Sequence, residues 1–387
     1  MKRAAILILD GVGVGGAPDA AEYGDVGSDT LGNLARALGG LSLPNLERRG
    51  LGNIRDIPGL RRRGDAAGAW GSLRPASAGK DSTTGHWEIA GVHLERAFPT
   101  FPRGFPAAVI SSFAKATGRG VIANEVASGT DIINRFGEEH QKSGSWIVYT
   151  SADSVFQIAA HEATVPLDEL YRACAIAREM LRPPHDVSRV IARPFAGVPG
   201  AYARTPNRRD YSLAPPSETL LDALEKNRIL RAGVGKVDDL FAGRGITAKH
   251  TVSNAEGIRE IKDWLSHAES GLLFANLVDF DQMYGHRNDV AGFNGALREF
   301  DAALPSLTTR LKEDDLLFIT ADHGNDPTTP STDHSRECVP LLVSGPRVVP
   351  GNLGERETFS DLGATVAEWF GLSFRGRGKS FLSELVV

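Results

Sequence analysis

Six uninterrupted apolar residues, Ala4 to Leu9, end at Asp10. An apolar run this short, with no alternation, predicts a strand buried on both faces of a parallel sheet. Leu272 to Val278 reads the same way, as does Leu316 to Ile319. Val339 to Val343 is a fourth run, but it contains Pro340, which lacks a ladder donor and so predicts an edge strand. Helical spacing lies between and after these runs. Gly292 to Leu304 predicts a helix stopped by Pro305, and Asp361 to Phe370 predicts another. Strands alternating with helices predict an α/β fold, with a mostly parallel central sheet flanked by helices. Ligands of such sheets bind beyond the carboxyl ends of the strands. Asp10, Asp281 and Asp322 each fall just after a predicted strand, so three segments deliver a carboxylate to one edge.

The middle of the chain is patterned differently. From about 98 to 213 it is rich in Pro, Gly and Arg, with short strands at Trp146 to Tyr149 and Val190 to Ala192 and a helix around Leu167 to Leu181. This predicts an α+β domain, 98–213, inserted into a core made of 1–97 and 214–387. A length of 387 residues also favours two domains over one hydrophobic core. There are no internal repeats and no low-complexity tract.

Composition narrows the class without naming it. Apolar residues at 41% and charged residues at 24% are ordinary for a soluble globular protein. The net charge of −5 argues against a nucleic-acid partner, which selects basic surfaces. It does not argue against small anionic substrates, since a local pocket can be cationic. Two cysteines, Cys174 and Cys338, read as reduced thiols in a cytoplasm, because a fold of this size needs no disulfide. The start, Met1-Lys2-Arg3 and six apolar residues, is too short for a secretory signal, and no stretch approaches a membrane span.

The chemistry is concentrated in polar strings beside the strands. Thr320-Ala-Asp322-His323-Gly324-Asn325-Asp326, with Asp333-His334 behind it, joins Asp281, His286 and Asp10. Three carboxylates and three imidazoles form the ligand set of a two-metal site, which serves phosphoryl or hydrolytic chemistry. On a helix, Asp281 and His286 would point about 140° apart. On a loop after a strand they can share an ion, and Gly285 helps the turn. Carboxylates offset the repulsion between two cations, and oxygen and imidazole donors without thiolate suit Mn²⁺ or Zn²⁺ better than Ca²⁺.

The glycines after Asp10 match G-x-G-x-x-G, a dinucleotide-binding pattern. Pro18 follows at once and no apolar-striped helix comes next, so Asp10 reads better as a metal ligand at a strand end. Ser77 to Glu88 offers three consecutive hydroxyls, Ser82, Thr83 and Thr84, on a loop entering a helix. That placement suits a phosphate, although such residues also cap helices. Arg193, Arg204, Arg208 and Arg209 cluster in the insert, where forked guanidinium groups suit phosphate oxygens. Lys236, in Gly233-Val-Gly-Lys236, is a similar candidate.

At this point the strings resemble a known family. Leu9-Asp10-Gly-Val-Gly-Val-Gly-Gly-Ala-Pro-Asp19, Gly-Lys-Asp-Ser-Thr-Thr-Gly-His-Trp-Glu, Tyr149-Thr-Ser-Ala-Asp153-Ser, Arg204-Thr-Pro-Asn-Arg208, Asp279-Phe-Asp281 with Gly285-His286, and Ala-Asp322-His323-Gly-Asn-Asp are similar to prokaryotic phosphopentomutase, of the alkaline phosphatase superfamily. They span nearly the whole chain. The resemblance implies an alkaline-phosphatase-like core, a cap or lid in the insert, and two Mn²⁺ ions. One ion would be held by Asp10, Asp322 and His323, the other by Asp281, His286 and His334. The phosphorylated hydroxyl would be Ser82, where the family commonly carries threonine, with Thr83 and Thr84 as alternatives. Ser151, Asp153, Arg193, Arg208 and Lys236 would bind substrate. The implied reaction interconverts ribose 1-phosphate and ribose 5-phosphate, or the 2-deoxyribose pair, through a phosphoserine and a pentose 1,5-bisphosphate. It would be primed by a sugar bisphosphate such as glucose 1,6-bisphosphate. A metal-dependent phosphatase or phosphodiesterase of the same superfamily is the alternative, and a non-catalytic phosphosugar-binding protein on this scaffold is a third.

Overall fold

The computed structural model describes residues 1–151 and 153–386. The chain divides into two compact units, Met1–Arg96 with Pro215–Val387, and Ala97–Ala214. Among the described residues no helix is long and apolar enough to cross a membrane.

The first unit is built on an eight-stranded sheet. Its order is Ala248–Lys249, Arg231–Val234, Gly271–Leu277, Arg3–Leu9, Asp315–Thr320, Val339–Ser344, Ala69–Leu73 and Gly351–Arg356. All pairings are parallel except the two made by Val339–Ser344. Arg3–Leu9 is buried along its whole length, as a continuous apolar run requires. In register, Leu9 lies beside Leu277 and Ile8 beside Thr320. The segments leading to Asp10, Asp281 and Asp322 therefore leave the sheet side by side.

Two expectations for this unit are corrected. Val339–Ser344 is an interior strand rather than an edge strand. Its ladder to Asp315–Thr320 covers only Leu342 to Ser344, whereas Pro340 pairs with Ser72 alone. One flank of the proline thus carries no ladder, which is the edge-like setting it needs inside a sheet. The second correction concerns Pro305, which does not stop its helix. That helix runs Val290–Thr308. The carbonyl that would have received the missing N–H belongs to Asp301, and the Asn45 side-chain amide donates to it at 3.0 Å. Leaving that carbonyl unpaired would cost about 1–3 kcal/mol, so a side chain from a distant segment permits the helix to continue.

The second unit has its own sheet, in the order Val121–Val126, Trp146–Thr150, Val155–His161, Arg189–Ala196 and Ala203–Arg204, with Arg209–Ser212 also paired to Arg189–Ala196. Side chains alternate between its faces. Trp146 and Val148 join Phe113, Phe156 and the buried face of helix Leu167–Met180 in one core. Ile147 and Tyr149 join Ile132, Ile133 and Phe195 in another. Cys174 and Cys338 are both buried and unpaired.

Candidate active site

The carboxylates and imidazoles converge at the carboxyl edge of the large sheet. Asp10 follows the first strand directly, and its Oδ2 accepts from the Asn276 amide at 3.0 Å. Asp281 sits in a π-helical turn, Phe280–Tyr284, that passes into a 3₁₀ turn, Gly285–Arg287. Such wide turns recur at functional sites. Here the double turn brings His286 back toward Asp281, with Nε2 at 3.1 Å from Oδ2. The backbone must pass close to Asn325 to do so, since a Cβ on Gly285 would lie 2.5 Å from the Asn325 Cγ. Asn325 in turn donates to Asp281 Oδ1 at 2.7 Å.

Two donor groups result. Asp281, His286 and His334 form one, and Asp10, Asp281 and His323 form the other, with donor atoms within 4.8 Å of one another in each. Asp281 belongs to both. Asp322, which the resemblance groups with Asp10 and His323, places Oδ2 at 3.5 Å from His323 Nε2, and its Oδ1 accepts from Gly11 N at 3.2 Å. The His286 Nδ1–H donates to the Thr332 carbonyl at 2.6 Å, and the His323 Nδ1–H to the Gly324 carbonyl at 3.0 Å. Both rings are thereby turned so that Nε2 faces the carboxylates, the second-sphere arrangement that orients metal-binding imidazoles.

The electrostatics fit cations. Asp10 and Asp322 are almost fully buried; Asp10 Oδ1 lies 3.3 Å from His323 Nε2 and Asp322 Oδ2 lies 3.2 Å from His86 Nδ1, but among the described residues neither oxygen accepts a well-formed hydrogen bond. Burial, then Asp322, then Asp281, pushes the Asp10 carboxyl up to about 6. Burial works against a charge on His323, but Asp322, Asp10 and Asp281 together hold it well above its ordinary value. Buried anions with unpaired oxygens favour compensation by positive charge. A mixed carboxylate and imidazole set without thiolate is a divalent-metal set.

The three consecutive hydroxyls are separated by geometry. Ser82 opens the helix Ser82–Ile89, and its Oγ lies 3.1 Å from His323 Nε2. The Thr84 hydroxyl donates instead to the N-capping Asp81 at 2.6 Å, and Thr83 is buried. The helix presses against the segment after strand Asp315–Thr320, because Gly85 leaves room: a Cβ there would lie 2.0 Å from the Asp322 carbonyl oxygen. Lys236, ahead of the short helix Val237–Leu240, donates to Gln282, the neighbour of Asp281.

The remaining candidates lie in the second unit. Arg193 donates to Gln157 at 3.0 Å, and Arg208 grips Asp210 with two bonds of 2.7 Å. Burial and then the Arg208 charge hold Arg193 below its ordinary value. Tyr149, whose buried hydroxyl has no hydrogen-bond partner among the described residues, feels Arg193, Arg204 and Arg208 together, although its burial outweighs them. Ser151 and Asp153 follow the end of strand Trp146–Thr150.

The chain was compared with known proteins. It is 57% identical to a phosphopentomutase of Dictyoglomus thermophilum, covering 100% of this chain and 99% of that one. The phosphopentomutases of Desulfitobacterium hafniense and Clostridium novyi are 56% and 51% identical, each with 100% of both chains covered. The chain belongs to the phosphopentomutase family. The family model described as the metalloenzyme superfamily also matches, over residues 2–374. Phosphopentomutases are isomerases that move a phosphoryl group, in keeping with a hydroxyl beside a cluster of metal donors.

Three polar residues at this phosphopentomutase site were given no role by the sequence reading. The Nδ1–H of His86 lies between the Ser82 carbonyl, 2.9 Å, and Asp322 Oδ2, 3.2 Å. Asn276 and Asn325 hold Asp10 and Asp281. Asn276 had a visible signal, an amide inside an otherwise apolar strand, where a buried polar group needs a partner.

Proposed function

We propose that this enzyme interconverts ribose 1-phosphate and ribose 5-phosphate, or the 2-deoxyribose pair, through phosphorylated Ser82. The observation that carries the reading is the Ser82 hydroxyl, 3.1 Å from His323 Nε2 at a helix N-terminus. A glucose 1,6-bisphosphate primer supplies the first phosphoryl group to Ser82. The bond from Ser82 Oγ to phosphorus then breaks as a sugar-phosphate hydroxyl forms its own, giving a pentose 1,5-bisphosphate. The other phosphoryl group of that intermediate returns to Ser82, and the isomeric monophosphate leaves. The peptide N–H groups at the start of helix Ser82–Ile89 favour the phosphate charge. Two Mn²⁺ ions, one with Asp281, His286 and His334 and the other with Asp10, Asp322 and His323, with Asp281 within reach of both, would activate the hydroxyl and neutralise the transferring group.

In this reading the insert is the cap that keeps water from phospho-Ser82. Arg193 and Arg208 take the non-reacting phosphate, Ser151 and Asp153 the sugar, and Lys236 a phosphoryl oxygen. The combined positive charge of Arg193, Arg204 and Arg208 felt at Tyr149 supports the first assignment. The two buried, unpaired cysteines support a cytoplasmic setting.

Replacing Arg208 with alanine is expected to raise the KM for ribose 5-phosphate about 10- to 100-fold, the worth of a charge-assisted phosphate contact. Metal content, measured by elemental analysis, should not change. Equal losses of substrate and metal binding would make Arg208 a structural residue.

The reaction itself is tested by ³¹P NMR with Mn²⁺, ribose 5-phosphate and a trace of glucose 1,6-bisphosphate. Exchange between C5 and C1 phosphate signals, started from either isomer, is expected. Free phosphate accumulating in their place would convert the reading into a phosphatase.

A further inference from the structure

Arg336 is buried to 3% exposure and stands two residues after His334. A guanidinium offers five N–H donors, and here every one is used. Nε and one Nη2 proton face Asp19, with contacts of 3.1 and 2.8 Å. The other Nη2 proton reaches the Pro75 carbonyl at 3.1 Å. Nη1 donates to the carbonyls of Ser77 and Gly79, both at 2.6 Å. The flat face lies 4.6 Å from the ring centre of Tyr23.

Those three carbonyls belong to the irregular segment that leads into Ser82. The same segment is held from the other side by Glu88, whose carboxylate accepts from Ala76 N at 2.9 Å and Ser77 N at 2.7 Å. Lys80, two residues before Ser82, is tied to Asp25 at 3.0 Å, and Asp25 also accepts from the Arg336 backbone N–H at 2.8 Å. Segment 75–80 has no ladder of its own; apart from Ala78 N to the Leu94 carbonyl at 2.8 Å and His93 Nε2 to the Ala76 carbonyl at 2.6 Å, these side chains hold its path.

We propose that Arg336 is a positioning residue, which fixes the Ser82 hydroxyl against the metal-donor cluster by clamping the carbonyls of Pro75, Ser77 and Gly79. It rests on the reading of Ser82 as the phosphorylated group. The effect is one of rigidity. His334 and Arg336 lie on one short segment, so a single side chain ties a metal donor to the loop that carries the nucleophile. Lysine in its place keeps the charge beside Asp19 but cannot span three carbonyls with one ammonium. Displacing a reacting group by about 1 Å costs on the order of 100-fold in rate.

The test is rapid-quench measurement of Ser82 phosphorylation by glucose 1,6-bisphosphate in the Mn²⁺-loaded enzyme. For Arg336→Lys the rate should fall about 30- to 100-fold, with the KM for ribose 5-phosphate and the metal content unchanged. Asp19→Asn removes one anchor of the guanidinium at a half-exposed site and serves if the lysine variant does not fold. It should slow phosphorylation about threefold, in the same pattern. A wild-type rate in either folded variant overturns the proposal. So does metal loss in proportion to activity, which would mark Arg336 as merely structural. Wild-type phosphate mapped to a residue other than Ser82 would sink the reading beneath it, and the proposal with it.

Discussion

Ser82→Ala should leave no phosphoenzyme and reduce mutase turnover by a factor on the order of 10⁴ or more, the scale on which removal of a covalent nucleophile acts. The expectation comes from comparing three adjacent hydroxyls. Ser82 Oγ faces His323 Nε2 at 3.1 Å. The Thr84 hydroxyl is already committed to Asp81 at 2.6 Å, and moving it would also undo the cap of helix Ser82–Ile89. Thr83 is buried, one residue into the helix and rotated about 100° from Ser82. Ser82→Thr restores the hydroxyl with one added methyl group and should recover most of the activity. Mass mapping of the wild-type enzyme after incubation with glucose 1,6-bisphosphate is the decisive control. Phosphate on the Thr83 or Thr84 side chain would transfer the role and leave Ser82 as a helix-start residue.

The strand pattern was readable because each core strand is buried on both faces and each ends at a polar residue. Arg3–Leu9, Gly271–Leu277 and Asp315–Thr320 differ from their apolar runs by no more than one residue at each end. Pro340 and Pro305 misled because the compensation lies far away in sequence. Pro340 is accommodated by where a neighbouring ladder stops, and Pro305 by the Asn45 amide on Asp301. Local rules count a missing donor but not the distant group that offsets it. The site shows the same division. Asp10, Asp281, His286, Asp322, His323 and His334 could be named from residue type and strand ends. Their partition came only from the resemblance, and that Asp281, in a π-helical turn, also lies with Asp10 and His323 is something no spacing rule anticipates. His86 was hidden by its place in a helix, where a histidine has many uses. Only the fold shows its Nδ1 between Ser82 and Asp322.

Because Asp281 stands in both groups, its loss should be felt by both metal positions. Asp281→Ala is expected to bring the bound metal below one ion per chain and to reduce activity by a factor on the order of 10³ or more. His286→Ala removes a donor from one group only and should retain close to one ion. The asymmetry has a physical basis. Asp281 Oδ2 lies 3.1 Å from His286 Nε2, and Oδ1 lies 3.5 Å from His334 Nε2. The carboxylate, negatively charged where the imidazoles are neutral ligands, offsets the mutual repulsion of two neighbouring cations. Asp281→Asn keeps the shape and discards the charge. Its Asn325 partner, a donor to Oδ1 at 2.7 Å, can still pair with the amide oxygen, so the fold should persist while metal affinity falls. Titration calorimetry with Mn²⁺ on the metal-stripped variants separates the cases. One full-affinity ion remaining in Asp281→Ala, with both lost from His286→Ala, would mean that the shared donor is not Asp281 and that His286 organises the pair.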